Sequence, residues 1–296
     1  MSRGYRIVKK EVFSPVTYLW EVEAPDLARA AQPGHFLMVR MHERAERIPL
    51  TVADFDRTAG TVTVVIQAVG KSTREMMRLE VGDTLLDFIV PLGEASHIQK
   101  RAKVILVGGG LGVAPIYPQL RAYKALGSTT LSIIGFRSKN LIFWEEKFRL
   151  QSDELHIATD DGSYGHQGFV SQVLDLVLKK HPDTEEIVAI GPLPMMKACC
   201  DVTRPLGVRT LVSLNAIMVD GTGMCGSCRV TVGGKMRFAC VDGPDFDGHQ
   251  VDFEELMRRQ ARFRSQEQAS LEQFEEECKL RGKMPEPPGA GNSRRE

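Results

Sequence analysis

The most restrictive feature of this chain is a glycine-rich run that sets three cysteines and an aspartate at fixed spacing. It reads Asp220-Gly221-Thr222-Gly223-Met224-Cys225-Gly226-Ser227-Cys228, and Cys240 follows after two short β-like stretches, 229–232 and 235–239. Three of the six cysteines fall in this segment, whereas Cys199, Cys200 and Cys278 lie elsewhere and read as packing or surface residues. Cysteines clustered in this way are metal or cluster ligands more often than parts of a disulfide framework. C-x4-C-x2-C with a distant fourth cysteine is the plant-type [2Fe-2S] spacing, and this run reproduces it with Asp220 in first place. Three thiolates and one carboxylate complete two tetrahedral irons. Gly221, Gly223 and Gly226 allow the backbone to wrap tightly and to point N–H groups at the sulfides. A zinc ion held by the same four residues is the competing reading, although structural zinc more often joins two C-x-x-C units or adds His. Asp220 has a further reading as a turn former, since Asp is common in Gly-rich turns.

The rest of the chain is long enough to house this element in a larger protein. At 296 residues it accommodates two domains and an appendage. Lys plus Arg equals Asp plus Glu, 38 each, and no basic stripe marks a nucleic-acid or anionic-membrane partner. No stretch approaches the roughly 18 apolar residues of a membrane span, and residues 1–14 lack the apolar core of a signal peptide. The expected location is cytoplasmic.

Short alternating or β-branched runs at 16–22, 36–41 and 61–68, parted by Pro and Gly turns, predict an antiparallel β-barrel. Beyond residue 102 apolar strands at 104–107, 131–134, 155–158 and 187–190 alternate with helical patterns at 115–126 and 170–180. That texture predicts a doubly wound parallel sheet buried on both faces. The expected organisation is a β-barrel at 1–98, an α/β domain at 99–211, a cluster module at 212–250, and a helical arm with a disordered tail at 251–296. The module is too short for its own apolar core, so bound metal is expected to supply much of its stability.

Directly after the strand at 104–107 comes Gly108-Gly109-Gly110-Leu111-Gly112-Val113-Ala114-Pro115. The glycines permit a tight turn and the approach of a pyrophosphate to a helix N-terminus, where Pro115 fits the first turn. Strict G-x-G-x-x-G is not met, because its last position falls on Val113. Three further strand ends carry polar or glycine turns: Gly135-Phe136-Arg137-Ser138-Lys139, Thr159-Asp160-Asp161-Gly162-Ser163 and Gly191-Pro192-Leu193-Pro194-Met195. Each alone is ordinary loop chemistry; together, at the carboxyl edge of one sheet, they outline a dinucleotide cleft. Arg137 stands where an acidic ribose-reading residue suits NAD and a basic one suits NADP, so both cofactors stay open.

In the barrel, Arg47-Ile48-Pro49-Leu50-Thr51 and Val69-Gly70-Lys71-Ser72-Thr73 offer a guanidinium fork and a donor-rich turn for a second nucleotide, or are simply solvated turns. Gly70-Lys71-Ser72 is not a P-loop: no Gly stands five residues earlier, and no strand-to-helix switch is expected there.

The order of these motifs, Arg-x-Pro-Leu-Thr, Pro91-Leu92-Gly93, Gly-Gly-Gly-x-Gly-Val-Ala-Pro, Gly-Pro-x-Pro-Met-Met and the cysteine loop, resembles the ferredoxin-NADP reductase superfamily over residues 5–248. It is most similar to the branch holding the dihydroorotate dehydrogenase electron-transfer subunit, the sulfide dehydrogenase small subunit and the small subunit of NADH-dependent ferredoxin:NADP oxidoreductase. The resemblance implies FAD at Arg47, Pro49, Leu50 and Thr51, with Gly70, Lys71, Ser72 and Thr73 near its phosphates. It implies NAD(H) at the turns 108–115 and 191–196. Asp220 with three cysteines resembles the ferredoxin:NADP oxidoreductase subunit, whereas a fourth cysteine is expected in the dihydroorotate branch. The implied partner is a larger FAD and [4Fe-4S] subunit, with ferredoxin engaged through it, in a flavin-based bifurcating complex. The alternatives are an electron-transfer subunit for dihydroorotate dehydrogenase or a sulfide or polysulfide reductase, and a zinc-stabilised binding module without redox function.

Overall fold

The computed structural model describes residues 4–280; the tail expected to be disordered lies largely outside them. The N-terminal part contains β1 (Tyr5–Ser14), β2 (Thr17–Glu23), α1 (Pro25–Ala30), β3 (Phe36–Arg40), β4 (Ile48–Thr51), β5 (Asp54–Asp56), β6 (Thr61–Gln67), α2 (Lys71–Met76), β7 (Thr84–Leu85) and β8 (Asp87–Leu92). Its strands form two antiparallel sheets, β5-β6-β2-β1-β7 and β4-β3-β8. Alternation along β3 assigns its side chains to two cores. Leu37 and Val39 join Ile7, Trp20 and Val64 inside the barrel, and Phe36 and Met38 belong to a different core on the outer face. Burial on both sides explains why β3 reads as an unbroken apolar run.

The α/β part follows as β9 (Lys103–Gly109), α3 (Val113–Ala125), β10 (Thr129–Phe136), α4 (Glu145–Gln151), β11 (Glu154–Thr159), β12 (His166–Gln167), α5 (Val170–Lys180), β13 (Glu186–Ile190), α6 (Leu193–Thr203) and β14 (Arg209–Ser213). The sheet order is β12-β11-β10-β9-β13-β14, all parallel, with a late strand antiparallel at the β14 edge. The chain winds outward from β9 through β10 and β11 and then crosses to β13. The topological switch, where α/β sheets open a ligand crevice, therefore lies between β9 and β13. Two helices escape the periodicity reading. α4 follows Trp144, which takes the left-handed conformation at φ 61°, rare for so bulky a residue. α6 begins inside the Gly-Pro-Leu-Pro stretch, with Pro192 preceding its first turn.

The C-terminal part contains β15 (Arg229–Val232), β16 (Lys235–Phe238), β17 (Asp245–Asp247), α7 (Phe253–Gln260) and α8 (Arg264–Leu280). β15 and β16 form a hairpin, and β17 is the antiparallel edge strand beside β14. As its length implies, the cysteine segment has no core of its own. Cys228, Val230, Ala239 and Cys240 share one core with Phe36 and Met38 of β3 and with Leu193 and Val212 of the α/β part. A short segment thus completes its burial with surface from both neighbours. The expected helical arm is two helices. Asp252 caps α7 by accepting the Glu255 N–H, and Phe253 and Leu256 anchor it in the same core. α8 is largely exposed until its end, where it returns to the barrel. There Glu275 pairs with Arg74 of α2 at 2.7 Å, and the Arg78 guanidinium lies 4.8 Å from the Phe274 ring centre.

Candidate functional site

In the cysteine loop the four expected ligands stand as two pairs. The Cys228 and Cys240 sulfurs are 3.2 Å apart in the shared core. With metal–sulfur bonds of about 2.3 Å, two thiolates on one tetrahedral ion stand roughly 3.8 Å apart, so a small separation of these sulfurs admits a common metal. Asp220 and Cys225 form the other pair, the Asp220 carboxylate accepting the N–H groups of Thr222 and Cys225 at 2.8 and 2.7 Å. The Thr222 N–H, and to a lesser extent the Cys225 N–H, hold this carboxyl below its ordinary pKa against the opposing effect of burial. Asp220 therefore serves as a turn former here, with lone pairs to spare for a metal. Cys225 is exposed, and the Ser227 hydroxyl, together with the Ser227 N–H pointing at its sulfur, lowers its thiol pKa. Burial and the neighbouring Cys228 sulfur raise that of Cys240. Among the described residues no three His, Cys, Asp or Glu side chains converge on a single ion. Two pairs suit two edge-sharing tetrahedra better than one zinc.

The loop rests on the barrel. Gly221 has φ 76°, and a methyl group in place of its hydrogen would stand 3.1 Å from Leu92 of β8 and 3.2 Å from Met38 of β3. Met38 lies directly opposite Pro49, and Phe36 opposite Thr51, in the β3–β4 pairing. Cross-strand partners share a face. Pro49 and Thr51 thus present the same outer face against which the loop packs, both partly exposed. Leu50 points the other way, into the barrel core opposite Leu37. Arg47 is exposed just ahead of β4.

Gly70 to Thr73 open α2, so a strand-to-helix switch does follow β6, against expectation; the missing glycine at position 65 still rules out a P-loop. Thr73 Oγ1 accepts the Val69 and Gly70 N–H groups, each at 3.1 Å, and Ser72 donates to Glu46, the neighbour of Arg47. Lys71 is exposed. The two barrel segments singled out for a nucleotide therefore meet at one end of β4.

The turns after β9 and β13 are in contact across the switch point. A methyl group on Gly109 would stand 2.1 Å from Met195 Sδ, and one on Gly112 would stand 2.1 Å from the Ile190 carbonyl. Only glycine permits this approach. Gly108 is buried, whereas Gly110, at φ 54°, faces open space. Val113 and Ala114 are buried at the start of α3, Pro115 is half-buried in its first turn, and Gly191 and Pro192 border the crevice. Farther along this edge, Arg137 and Asp160 are exposed on adjacent strand ends, which the Asp160 N–H to Phe136 carbonyl bond ties together at 3.0 Å. A basic and an acidic residue thus stand on neighbouring strand ends at the carboxyl edge of the sheet.

Phe36 and Met38, which with Leu92 of the Pro91-Leu92-Gly93 motif form the wall between the cysteine loop and β4, carry no site signal in the sequence beyond the unbroken apolar run of β3.

Residues 215–252 match the model of the iron-sulfur cluster binding domain of dihydroorotate dehydrogenase B. Over 268 residues the chain is 44% identical to a dihydroorotate dehydrogenase B (NAD(+)) electron transfer subunit homolog of Thermotoga maritima, covering 90% of this chain and 94% of that one. It is 34% identical over 255 residues to the dihydroorotate dehydrogenase B (NAD(+)) electron transfer subunit of Shouchella clausii, covering 83% and 96%. A solved structure of the NADH-dependent reduced ferredoxin-NADP oxidoreductase, pursued for insight into flavin-based electron bifurcation, superposes with TM-score 0.87 at 42% identity, covering 93% of this chain and 99% of that one. The chain belongs to the family of dihydroorotate dehydrogenase B electron-transfer subunits, within the ferredoxin-NADP reductase superfamily.

Proposed function

We propose that this electron-transfer subunit holds FAD against the outer face of β4, NAD(H) in the crevice between β9 and β13, and a [2Fe-2S] cluster on Asp220, Cys225, Cys228 and Cys240. When bound, FAD supplies the conversion between hydride and single-electron chemistry, with nicotinamide on one side and the cluster on the other. The chain's own task is positioning, so no general acid or base is assigned. Pro49 and Thr51 offer the wall for the flavin. Arg47 and the Gly70–Thr73 turn lie where its phosphates would be neutralised, with Lys71 free to reach them. The glycines at 108–112 and 191 let a dinucleotide come close to backbone N–H groups, Met195 shapes the crevice floor, and Asp160 beside Arg137 reads the ribose diol. The observation that carries this reading is the contact of Gly221 with Met38, whose cross-strand partner is Pro49: one strand separates the cysteine loop from the flavin wall.

The partner is a larger FAD and [4Fe-4S] subunit that engages ferredoxin in a bifurcating oxidoreductase. Likeness to the NADH-dependent reduced ferredoxin-NADP oxidoreductase supports this assignment. The surface around Cys225 suits such docking, since Met224 is 88% exposed and Val219 56% exposed. The match at residues 215–252 favours a second reading with dihydroorotate dehydrogenase as partner. Anaerobic purification from the native cell separates the two. A large iron-sulfur flavoprotein co-purifying with NADH-reducible flavin and [2Fe-2S] absorbance supports the first. A co-purifying dihydroorotate dehydrogenase selects the second, and a colourless, zinc-containing chain overturns both.

A further inference from the structure

The seam between barrel and α/β domain has two unlike parts. Leu19, Ala53 and Val65 of the barrel pack against Val113, Ala114 and Tyr117 of the α/β domain. Apolar packing of this kind is non-directional; it holds two faces together without fixing how one slides over the other. Beside it opens a cleft of about 1080 Å³, bordered by β1, β2, β5 and β6 on one side and by α3 and the segment before α4 on the other. Asp54 stands at this cleft, one residue beyond Ala53, and receives two cations from the opposite domain. Arg121 of α3 reaches it at 2.5 Å and Lys147 of α4 at 3.9 Å. The Asp54 side chain is only 19% exposed, while its partners Arg121 and Lys147 are 47% and 42% exposed, so the carboxylate is the buried end of a half-exposed pair.

Each partner is itself held. Lys147 lies 4.1 Å from the Trp144 ring centre, and Trp144 is the residue in left-handed conformation that launches α4. Arg121 sits on α3, the helix that begins at the glycine turn of the nucleotide crevice. Asp54 follows Thr51 by three residues. One carboxylate on β5, the strand that follows the one assigned to flavin, therefore connects that part of the barrel with the helix assigned to nicotinamide, through a directional charge-assisted bond from Arg121 and a longer ion pair with Lys147.

We infer that Asp54 is a positioning residue that sets the register of the nicotinamide crevice over the flavin wall, acting through Arg121 and Lys147. The inference rests on the proposed placement of FAD and NAD(H). Its effect appears in the rate of hydride transfer rather than in cofactor retention, because small misplacements of reacting atoms cost large factors in rate.

The test uses the flavin- and iron-loaded subunit in its native complex, with NADH-driven flavin bleaching followed by stopped flow. For Asp54→Asn the maximal bleaching rate falls about tenfold to a hundredfold, the KM for NADH changes less than twofold, and FAD and iron per chain are unchanged. Arg121→Gln shows the same pattern, the double variant is no slower than either single one, and Asp54→Glu recovers most of the rate. Bleaching at the wild-type rate in Asp54→Asn overturns the inference, as does a slowdown matched by loss of FAD, which marks a merely structural role. Wild-type protein that NADH fails to bleach overturns the proposed function itself, before any variant is made.

Discussion

The barrel and the cysteine segment solve opposite problems. The barrel buries a self-contained core around Trp20, Leu37, Val64 and Phe88. The cysteine segment contributes only a few buried residues, borrows the rest of its core from both neighbours, and leaves Met224 and Met236 exposed. Its shape depends on backbone conformation: Gly221, Gly223, Gly226, Gly233 and Gly234 all have positive φ. Selection for burial is spread over many residues, whereas selection for a ligand cage concentrates on a few. The candidate cage straddles the edge of the shared core, with Cys228 and Cys240 buried and Cys225 exposed, and single changes there are expected to have the largest effects.

The contrast predicts its sharpest break at Cys228. Cys228→Ser removes one thiolate of the buried pair, and iron per chain falls to near zero while FAD per chain stays at the wild-type level. Iron and flavin assays on anaerobically purified protein check this; joint loss of both groups would mean that barrel and segment are not independent. Gly221→Ala comes next. It adds a methyl group at φ 76° against Leu92 and Met38, and left-handed strain with crowding costs about 1–3 kcal/mol. The expected readout is an earlier thermal loss of cluster absorbance with the flavin transition unmoved.

The smallest effect belongs to the barrel. Burial holds His35 below its ordinary pKa of 6.5, and its Nδ1 accepts the Gln32 N–H at 3.2 Å. A folded-state pKa below the unfolded value means that the unfolded chain takes up a proton which the folded chain refuses. The stability contribution is complete above about pH 6.5, is lost as pH falls through that value, and levels off below the folded pKa. Thermal melts of the barrel transition between pH 7 and 5 show this slope in the wild type and a flatter one in His35→Asn, whose amide oxygen replaces the ring acceptor.

Much of this architecture was legible because it rests on local pattern. Helix α5 was read at its observed bounds, and β3 and β6 within one residue, since apolar periodicity and flanking glycines define them. The spacing of Asp220, Cys225, Cys228 and Cys240 marks them as one candidate ligand set, and the fold brings them together as two pairs. What stayed hidden depends on long-range contact. β17, with Phe246 between two aspartates, is a strand only because β14 pairs with it. α4 begins at a left-handed Trp that no propensity favours. The return of α8 to α2 and the grip of Arg121 on Asp54 join residues 201 and 67 positions apart, beyond any window of sequence pattern.

The central claim is that one strand separates the cysteine loop from the flavin wall and that electrons cross it. Anaerobic NADH titration of the intact complex, followed together by flavin absorbance and low-temperature EPR, tests this directly. Flavin bleaching is expected to be accompanied by the EPR signal of a reduced [2Fe-2S] cluster, and Cys228→Ser to abolish that signal while bleaching persists. A fully bleached flavin beside an intact cluster that remains oxidised, although dithionite reduces it, would contradict the claim.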